Sequence, residues 1–437
     1  MDAVQSRSTV ATNEKQFEPA RGSGWRRRIL PLVIAATLWL NFLFFIDFWK
    51  GMKRGYTDFS VFYTAATILR EGHGHQLYDR QVQYEVQEDF AGHLPFRRGP
   101  LPYIHPPFEA LIFIPFSLLP YRTAFVAWDV LTLGMLFGVA LVLRRSVEVL
   151  NRMPAWKFVI VSLSFFPVFS CFLQGQDSIL LLLFCALAFS AMKKGADALG
   201  GCWFGLAALK FQFIVPIVLL FFIWKRRRVA VGFLAVAALL GLISVGLVGV
   251  KPMLDYPRYA LQVVGAPNLG GVPRSLLPNL HGLAMGWPGP FSGALGIGLA
   301  AVGSIALFAF AAVKGRAPAQ AGNLELQFSL AIVVAGLVGW QTNAHDLSLL
   351  VLPIAYLANY CYLRGEKRDA AFANRLLLPA LPLVIGPLWM VLWLGIGMVN
   401  LMAIPMAWWV WKIGEEIARA PQAPIPIPAP VLSNAAP

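Results

Sequence analysis

Long apolar segments separated by short polar ones follow one another from Ile29 to Lys412. Segments of about 20 apolar residues can cross the hydrocarbon core of a bilayer as helices. Strands of a membrane β-barrel would instead alternate apolar and polar residues, and these segments do not. The pattern therefore predicts an all-α polytopic integral membrane protein with about 10–13 transmembrane or half-membrane helices.

Two apolar segments carry features that argue against a simple crossing. Phe108–Leu119 is short and contains Pro115, so we expect it to enter the bilayer without spanning it. Gly200–Trp224 has Lys210 at its middle, so we expect a hairpin with Lys210 at the apex. The remaining predicted helices are Ile29–Trp49, Arg122–Leu143, Phe158–Phe172, Ile179–Met192, Val229–Val248, Phe291–Val313, Leu324–Trp340, Leu347–Tyr362, Phe372–Trp393 and Leu394–Trp411.

The polar stretches divide the chain into a membrane domain and two tails. We expect a cytoplasmic tail over residues 1–28, a membrane domain over 29–413, and a disordered Pro/Ala-rich tail over 414–437. Within the membrane domain, residues 50–107 and 250–290 are the two longer loops. The first loop should contain a short amphipathic helix over Ser60–Leu69.

Clusters of basic residues set the expected orientation in the membrane, because Lys and Arg collect on the cytoplasmic side. If Phe108–Leu119 does not cross and Gly200–Trp224 forms a hairpin, every basic cluster from Arg144 to Arg368 falls on one side of the membrane. Most isolated polar residues of the membrane domain fall on the other. This predicts a cytoplasmic N-terminus and a functional site on the outer face of the plasma or inner membrane. A full crossing of Phe108–Leu119 would instead move the Arg144 cluster outside.

The composition is typical of a membrane protein, and it changes how the positive net charge is interpreted. The chain of 437 residues is 58% hydrophobic and only 13% charged, with a formal net charge of +14. In a membrane protein such an excess belongs to cytoplasmic loops, so no nucleic-acid partner is expected. The four cysteines lie in or beside apolar segments without a C-x-x-C pair, which is typical of small buried side chains.

Asp58 is the acid whose position most needs an explanation. It follows the first apolar segment within a few residues and therefore lies close to a membrane surface, where lipid offers a carboxylate no partner. We interpret Asp58 as a functional residue and a candidate general base.

Lys210 lies within an apolar segment, and a lysine at membrane depth is costly unless it faces a cavity or an anion. We interpret it as a phosphate contact. The alternative is a lysine that reaches back to the membrane surface. Gln174, Gln176 and Asp177 form a polar break between two apolar segments, and we interpret them as a pocket wall, although Asp177 could simply cap a helix.

Further polar residues in the loops are weaker candidates. His345 is a possible phosphate or sugar contact, whereas Asp346 could cap the helix that follows. His105 has an alternative interpretation as an ordinary interface residue. Loop polarity alone would account for three residues of the second long loop: Arg274, Asn279 and His281.

Several motifs are absent from the sequence. No D-x-D pair is present, so a nucleotide-sugar site with a bound metal is not predicted. No P-loop is present, so ATP-driven transport is not predicted. No metal site or cofactor is expected, and the sequence leaves open whether the reaction needs a metal.

Several segments together resemble the family 87 glycosyltransferases, which belong to the GT-C class and use polyprenol-phosphate mannose. Each motif is short, and their order and spacing carry the likeness. The motifs are Asp58-Phe59-x-Val61-x-Tyr63-x-Ala65-Ala66, Gly72, Leu77-Tyr78-Asp79, His105-Pro106-Pro107-Phe108, Gln174-Gly175-Gln176, Gly205 to Lys210, and His345-Asp346-Leu347. Histidine stands at position 105 where the family's segment usually has tyrosine.

The resemblance implies a GT-C-like fold and an inverting transfer of a hexose, expected to be mannose, from a polyprenyl-phosphate donor. It implies that Asp58 is the catalytic base. It is compatible with donor-phosphate contacts at Lys210, His345, Arg274 and His281, and with sugar or acceptor contacts at Tyr63, His105, Gln174, Gln176, Asp177, Asn279 and Asp346. The expected partners are the lipid-linked donor, membrane lipids, and a glycolipid, glycan or protein acceptor.

Two alternatives remain open from the sequence. One is an arabinofuranosyl- or aminosugar transferase of the same class. The other is a lipid or solute transporter that performs no chemistry.

Overall fold

The computed structural model describes residues 24–52, 57–91, 101–265, 274–286, 293–316, 323–364, 370–384 and 400–419. These residues form helices joined by short turns, and they contain no strand. The prediction of an all-α protein is confirmed. Most of both terminal tails, and parts of the predicted segments Phe291–Val313, Phe372–Trp393 and Leu394–Trp411, lie outside the described residues.

The described helices are numbered in chain order. They are α1 (Gly24–Met52), α2 (Phe59–Arg70), α3 (Arg80–Ala91), α4 (Pro107–Ser117), α5 (Tyr121–Ser146), α6 (Glu148–Asn151), α7 (Ala155–Ser164), α8 (Phe166–Gln174), α9 (Ser178–Lys193), α10 (Asp197–Leu206), α11 (Phe211–Ile223), α12 (Arg227–Val248), α13 (Val250–Gly265), α14 (Leu280–Met285), α15 (Ala294–Lys314), α16 (Asn323–Val338), α17 (Val351–Leu363), α18 (Ala370–Leu377), α19 (Leu381–Val384) and α20 (Ala403–Arg419).

Among the described residues, six helical segments are long and apolar enough to cross a membrane, and α7 with α8 would form a seventh crossing that is bent by 84°. The bend lies at Phe165, whose extended backbone separates the two helices. A single helix over Phe158–Phe172 was expected, so that prediction was wrong in this respect. The turn at Phe165 redirects α8 and carries its C-terminal end toward α2.

The segment from Asp197 to Ile223 has the length of a crossing but folds back on itself. Arg226 Nη1 lies 3.0 Å from Asp197 Oδ1, so the start of α10 and the end of α11 lie at the same level. A straight helix of 27 residues would separate its ends by about 40 Å. The 3₁₀ turn Ala207–Lys210 therefore forms the apex of a hairpin, as predicted.

The bundle has two ends, which we name by the residues they carry. At the Lys193 end, the Lys193 ammonium donates to the carbonyl of Ser146, and the Trp224 indole donates to the carbonyl of Ala312. The last turns of α5, α9 and α15 place their basic residues at this end: Arg144, Arg145, Lys193 and Lys314. The opposite end carries Asp58 and is named the Asp58 end.

Helix α16 lies at the centre of the bundle. Nearly all its side chains, including the polar Glu325 and Gln327 of its first half, are buried, and it packs against α11, α15, α17 and α20. Helix α20 packs along it, with Met406 against Gly336, and the Tyr360 hydroxyl donates to Glu416 at 2.7 Å. Helix α20 continues to Arg419, six residues into the tail predicted from residue 414.

The two long loops at the Asp58 end are largely helical. Helix α2 matches the short helix predicted over Ser60–Leu69 and packs against α4. Helix α4 has 11 residues and is about 16 Å long, which is too short for a crossing. The second loop forms α13 and α14.

Side chains from the two loops fix the extended segment that precedes α4. Gln87 exchanges two hydrogen bonds with the backbone of Leu101, and Gln83 accepts from the amide of Tyr103. Tyr78 and Tyr256 stack with ring centroids 5.0 Å apart and donate to the carbonyls of His105 and Ile104. This framework holds His105 beside the polar residues described below.

Candidate active site

A left-handed turn after α8 brings a polar segment to Asp58. Gly175 ends the helix with φ +62°, a conformation that costs residues with a Cβ about 1–2 kcal/mol. A Cβ at Gly175 would also lie 2.6 Å from Cβ of Phe59. Glycine therefore satisfies both the backbone turn and the close approach of α2. The result is that Gln174 accepts a hydrogen bond from the Asp58 amide at 3.4 Å.

Gln176 joins the Asp58 carboxylate to Lys210. Its Nε2 donates to Asp58 Oδ2 at 2.6 Å, and its Oε1 accepts from Lys210 Nζ at 3.3 Å. The orientation of the amide follows from its neighbours, because an ammonium only donates and a carboxylate only accepts. Lys210 therefore fixes the amide so that its N–H group points toward Asp58.

Lys210 is surrounded by protein groups. Its ammonium lies 3.0 Å from Asp177 Oδ1 and 2.6 Å from Asp346 Oδ1, and it donates to Ser178 Oγ at 2.8 Å. Its side chain is only 3% exposed. Asp346 is held further by Ser178 and by the amide of Asn343. We call Asp58, Gln176, Asp177, Ser178, Lys210 and Asp346 the Lys210 cluster.

The hairpin apex explains how a lysine reaches this position. The 3₁₀ turn places Lys210 at the start of α11, beside the start of α9. A lone lysine at this depth would be strongly unfavourable, but two carboxylates and two neutral acceptors surround it. Reach to the membrane surface, the alternative considered from the sequence, is excluded by these contacts.

Exposure divides the cluster into a buried part and an accessible part. Gln176, Asp177, Ser178, Lys210 and Asp346 are buried, whereas Asp58 is half-buried, as is the neighbouring Gln174. Asp58 is therefore the carboxylate of the cluster that a substrate can reach.

His105 and Glu109 extend the polar region from the other side. His105 Nδ1 lies 3.0 Å from Glu109 Oε2, one helical turn further along the chain. Burial lowers the pKa of His105, but the charge and hydrogen bond of the Glu109 carboxylate raise it by more, so the net pKa lies above its ordinary value. One nitrogen of His105 and one oxygen each of Glu109 and Asp177 lie within 4.8 Å of one another.

His345 is buried beside the cluster, with Nε2 3.6 Å from Asp346 Oδ1. Its backbone carbonyl accepts a weak hydrogen bond from the Cys171 thiol. The 3₁₀ segment that begins at His345 leads into α17. The structure thus brings together seven of the residues selected from the sequence besides Asp58: His105, Gln174, Gln176, Asp177, Lys210, His345 and Asp346.

The other selected residues have different contacts. Asn279 accepts from the amide of Gly282 and donates to the carbonyl of Gly339, so it caps α14 and joins it to the turn after α16. The His281 ring packs on Trp340, with centroids 4.2 Å apart. Tyr63 donates to the carbonyl of Leu119. The side chain of Arg274 lies outside the described residues.

The contacts bear on three of the expected roles, which stay predictions. Lys210 was expected to bind the donor phosphate, but its donors already face protein acceptors. Asp177 and Asp346 were expected to contact sugar, yet they are 0% and 1% exposed and pair with Lys210. Charge balance in a water-poor interior explains the difference, because a buried lysine needs anionic neighbours.

Glu109 was missed in the sequence. Its signal was a single acid within the apolar segment Phe108–Leu119, four residues after His105, a spacing that places both on one helical face. Ser178 was not among the residues selected from the sequence, and its bonds to Lys210 and Asp346 depend on the hairpin.

Comparison with known proteins agrees with this architecture. Two curated relatives are named as polyprenol-phosphate-mannose-dependent α-(1-2)-phosphatidylinositol pentamannoside mannosyltransferases. The one from Mycolicibacterium smegmatis is 27% identical over 246 residues, which cover 55% of this chain and 58% of the relative. The one from Mycobacterium tuberculosis is 26% identical over 218 residues, 49% of each protein.

The chain thus spans about half the length of the curated relatives it matches. No solved structure gives a significant match to the chain. The model of glycosyltransferase family 87 matches residues 103–340, which include all the buried residues of the Lys210 cluster except Asp346. That match covers more than half of the sequence, and the chain therefore belongs to glycosyltransferase family 87.

Proposed function

We propose that this protein transfers a hexose, specifically mannose, from a polyprenyl-phosphate donor to a hydroxyl group of an acceptor. The family and the names of the relatives support this donor class. Membership of a glycosyltransferase family also favours an enzyme over the transporter considered from the sequence. The single observation that carries the mechanism is the half-buried Asp58 carboxylate, held by Gln176 above a buried lysine.

Asp58 acts as the general base in this proposal. Its carboxylate takes the proton of the acceptor hydroxyl as the oxygen forms a bond to the anomeric carbon. The bond between that carbon and the phosphate oxygen breaks on the opposite side, and its electron pair leaves with the polyprenyl phosphate. The configuration at the anomeric carbon is inverted.

Gln176 and Lys210 are positioning residues in this mechanism. The Gln176 amide holds Oδ2 of Asp58 and leaves Oδ1 for the acceptor. Lys210 fixes the orientation of the Gln176 amide by donating to its oxygen, and Asp177 and Asp346 hold Lys210. A base that is fixed before substrate binds loses less entropy when the transition state forms.

Contacts to the substrates are assigned by position near the Lys210 cluster and by charge. Gln174 and His105 are half-buried beside the cluster and are proposed to contact the sugar or acceptor. His345 is the proposed contact for the leaving phosphate, together with Arg274 and His281 from the second loop. We assign no substrate contact to the buried groups of Lys210, Asp177 and Asp346.

We place the reaction on the outer face of the membrane. The basic last turns of α5, α9 and α15 gather at the Lys193 end, which the positive-inside rule makes cytoplasmic. The Asp58 end then faces outward. Because the relatives are named for a glycolipid acceptor, we propose a glycolipid acceptor here as well. Labelling of His75→Cys, an exposed position beside α2, tests this orientation: reagent added outside intact cells should react with it.

The test of the reaction is a transfer assay on the full chain in proteoliposomes with a panel of polyprenyl-phosphate sugars. Polyprenyl-phosphate mannose should be the preferred donor, and its product should have inverted configuration. Asp58→Asn should lower kcat by about 10²–10⁴ while donor binding stays close to wild type. Wild-type turnover by Asp58→Asn would remove Asp58 as the base.

A further inference from the structure

The buried groups around Asp58 carry more negative charge than they can balance. Four carboxylates, from Asp58, Glu109, Asp177 and Asp346, lie in a connected set of contacts with one lysine. With all four ionised, their formal charge is −2 when His105 is protonated and −3 when it is neutral. Charges removed from water cost several kcal/mol each unless opposite charges lie beside them. The set therefore needs a further positive charge.

Two carboxylate oxygens in this set have neither a hydrogen bond nor an ion pair among the described residues. They are Oε1 of Glu109 and Oδ2 of Asp177, and both side chains are 0% exposed. Buried acceptors of this kind are rare unless they face an ion, a water or a proton. Lys210 approaches Asp177 at Oδ1, which leaves Oδ2 for another partner.

We propose that His105, Glu109 and Asp177 bind a small divalent cation. One ligand atom from each lies within 4.8 Å of the others. Two ligand atoms on opposite sides of an ion, each about 2.1–2.4 Å from it, are about 4.2–4.8 Å apart. The three atoms therefore need little movement to bind one ion. An imidazole nitrogen with two carboxylate oxygens suits an ion such as Mn²⁺ or Zn²⁺. The framework of Gln83, Tyr78 and Tyr256 fixes the segment that carries His105.

The cation has a role in the reaction if the proposed function is correct, and this role rests on that proposal. The leaving lipid phosphate needs positive charge, and Lys210 is already paired with carboxylates. The bound cation reduces the charge of the set from −3 to −1 and places positive charge beside Asp177. The His105 side chain is 19% exposed, so the site has an edge that a phosphate oxygen can approach.

Binding of Mn²⁺ to the purified full chain tests the site without any substrate. After treatment with a chelator and removal of the chelator, the loss of the free Mn²⁺ signal in electron paramagnetic resonance measures bound metal. We expect one Mn²⁺ per wild-type chain, displaced by Zn²⁺. Glu109→Gln should weaken binding by at least about tenfold. The matched control is Glu325→Gln, since Glu325 is another buried carboxylate that contacts a lysine, and it should bind as wild type does.

His105→Gln is the second variant, for use if Glu109→Gln does not fold, and its control is the exposed His75→Gln. Failure of the wild-type chain to bind either ion would overturn the site and leave a proton shared between the two carboxylates as the balancing charge. Binding that both Glu109→Gln and His105→Gln retain would overturn it as well.

The transfer assay separates this inference from the proposed function. Transfer that continues at the wild-type rate in metal-free, chelator-treated protein rejects the cation's role and leaves the function intact. Stoichiometric Mn²⁺ binding without any transfer from the sugar panel supports the site and rejects the proposed function. Loss of transfer on chelation, with recovery on addition of Mn²⁺, supports both.

Discussion

Two buried polar clusters lie at opposite ends of the same bundle, and their charge balance differs. In the Lys193 cluster, Lys193 pairs with Glu325 at 3.0 Å and donates to the carbonyl of Ser146. Asn359 donates to Glu325 at 3.4 Å and accepts from the amide of Val149. One positive charge meets one negative charge, and the Lys193 side chain is 32% exposed.

The Lys210 cluster has the same kind of scaffold but an excess of acid. Its lysine is 3% exposed and touches two carboxylates, while a third, Asp58, lies beyond Gln176. Folding alone does not require that excess, since the Lys193 cluster joins equally distant parts of the chain with a neutral pair. The comparison indicates that the extra carboxylates serve binding or catalysis at the expense of stability.

Replacement of each lysine should give the largest difference in stability between the two clusters. Lys210→Met leaves two fully buried carboxylates without their counter-ion, so we expect a loss of about 3–5 kcal/mol in the free energy of unfolding. Lys193→Met leaves Glu325 with its bond from Asn359, so we expect a loss of about 1 kcal/mol. Unfolding in mixed detergent micelles measures both. Equal losses in the free energy of unfolding would show that the two clusters do not differ in charge balance.

Two glycines with positive φ test whether the backbone turn near Asp58 matters for the reaction. Gly175 and Gly195 both have positive φ, +62° and +81°, but a Cβ at Gly195 would meet nothing within 4 Å. Each change to alanine should cost about 1–2 kcal/mol through the backbone alone. Only Gly175→Ala should also lower kcat, because the new methyl group pushes Gln174 and Gln176 away from Asp58. The transfer assay separates them, and a similar kcat for both variants would argue against the role of this turn.

Two asparagines give the smallest expected effect. Asn279 caps α14 near the Asp58 end, and Asn359 belongs to the Lys193 cluster. Each change to alanine should cost about 1 kcal/mol in stability and leave the KM for the donor unchanged. Thermal unfolding and donor titration provide the readouts. A raised donor KM for Asn279→Ala alone would restore the sugar-contact role that the sequence suggested.

Prediction from the sequence succeeded where hydropathy dominates. The all-α membrane fold, the short α4 and the hairpin with Lys210 at its apex follow from apolar length and from a single lysine within it. Asp58 was selected because an acid at a membrane edge needs a partner. The break at Phe165 was missed, because an apolar sequence gives no sign of an 84° bend.

Roles within the site were harder to predict because they depend on pairs distant in sequence. Lys210 and Asp346 are 136 residues apart, and Gln176 and Asp58 are 118 apart. A lysine that is available to a phosphate and one that is neutralised by carboxylates look the same in a sequence. Glu109 was overlooked for the same reason, since its neighbour Asp177 comes from another helix.

The sequence by itself determined that the chain crosses a membrane as helices, which residues are too polar for their apolar segments, and which side the basic clusters favour. These properties depend on the transfer of each side chain between water and lipid, which is local. Only the tertiary structure decided that Lys210 neutralises acids and positions Gln176, and that Asp58 remains the accessible carboxylate. Pairing of buried charges depends on distances of about 3 Å between separate helices, and those distances are set by packing.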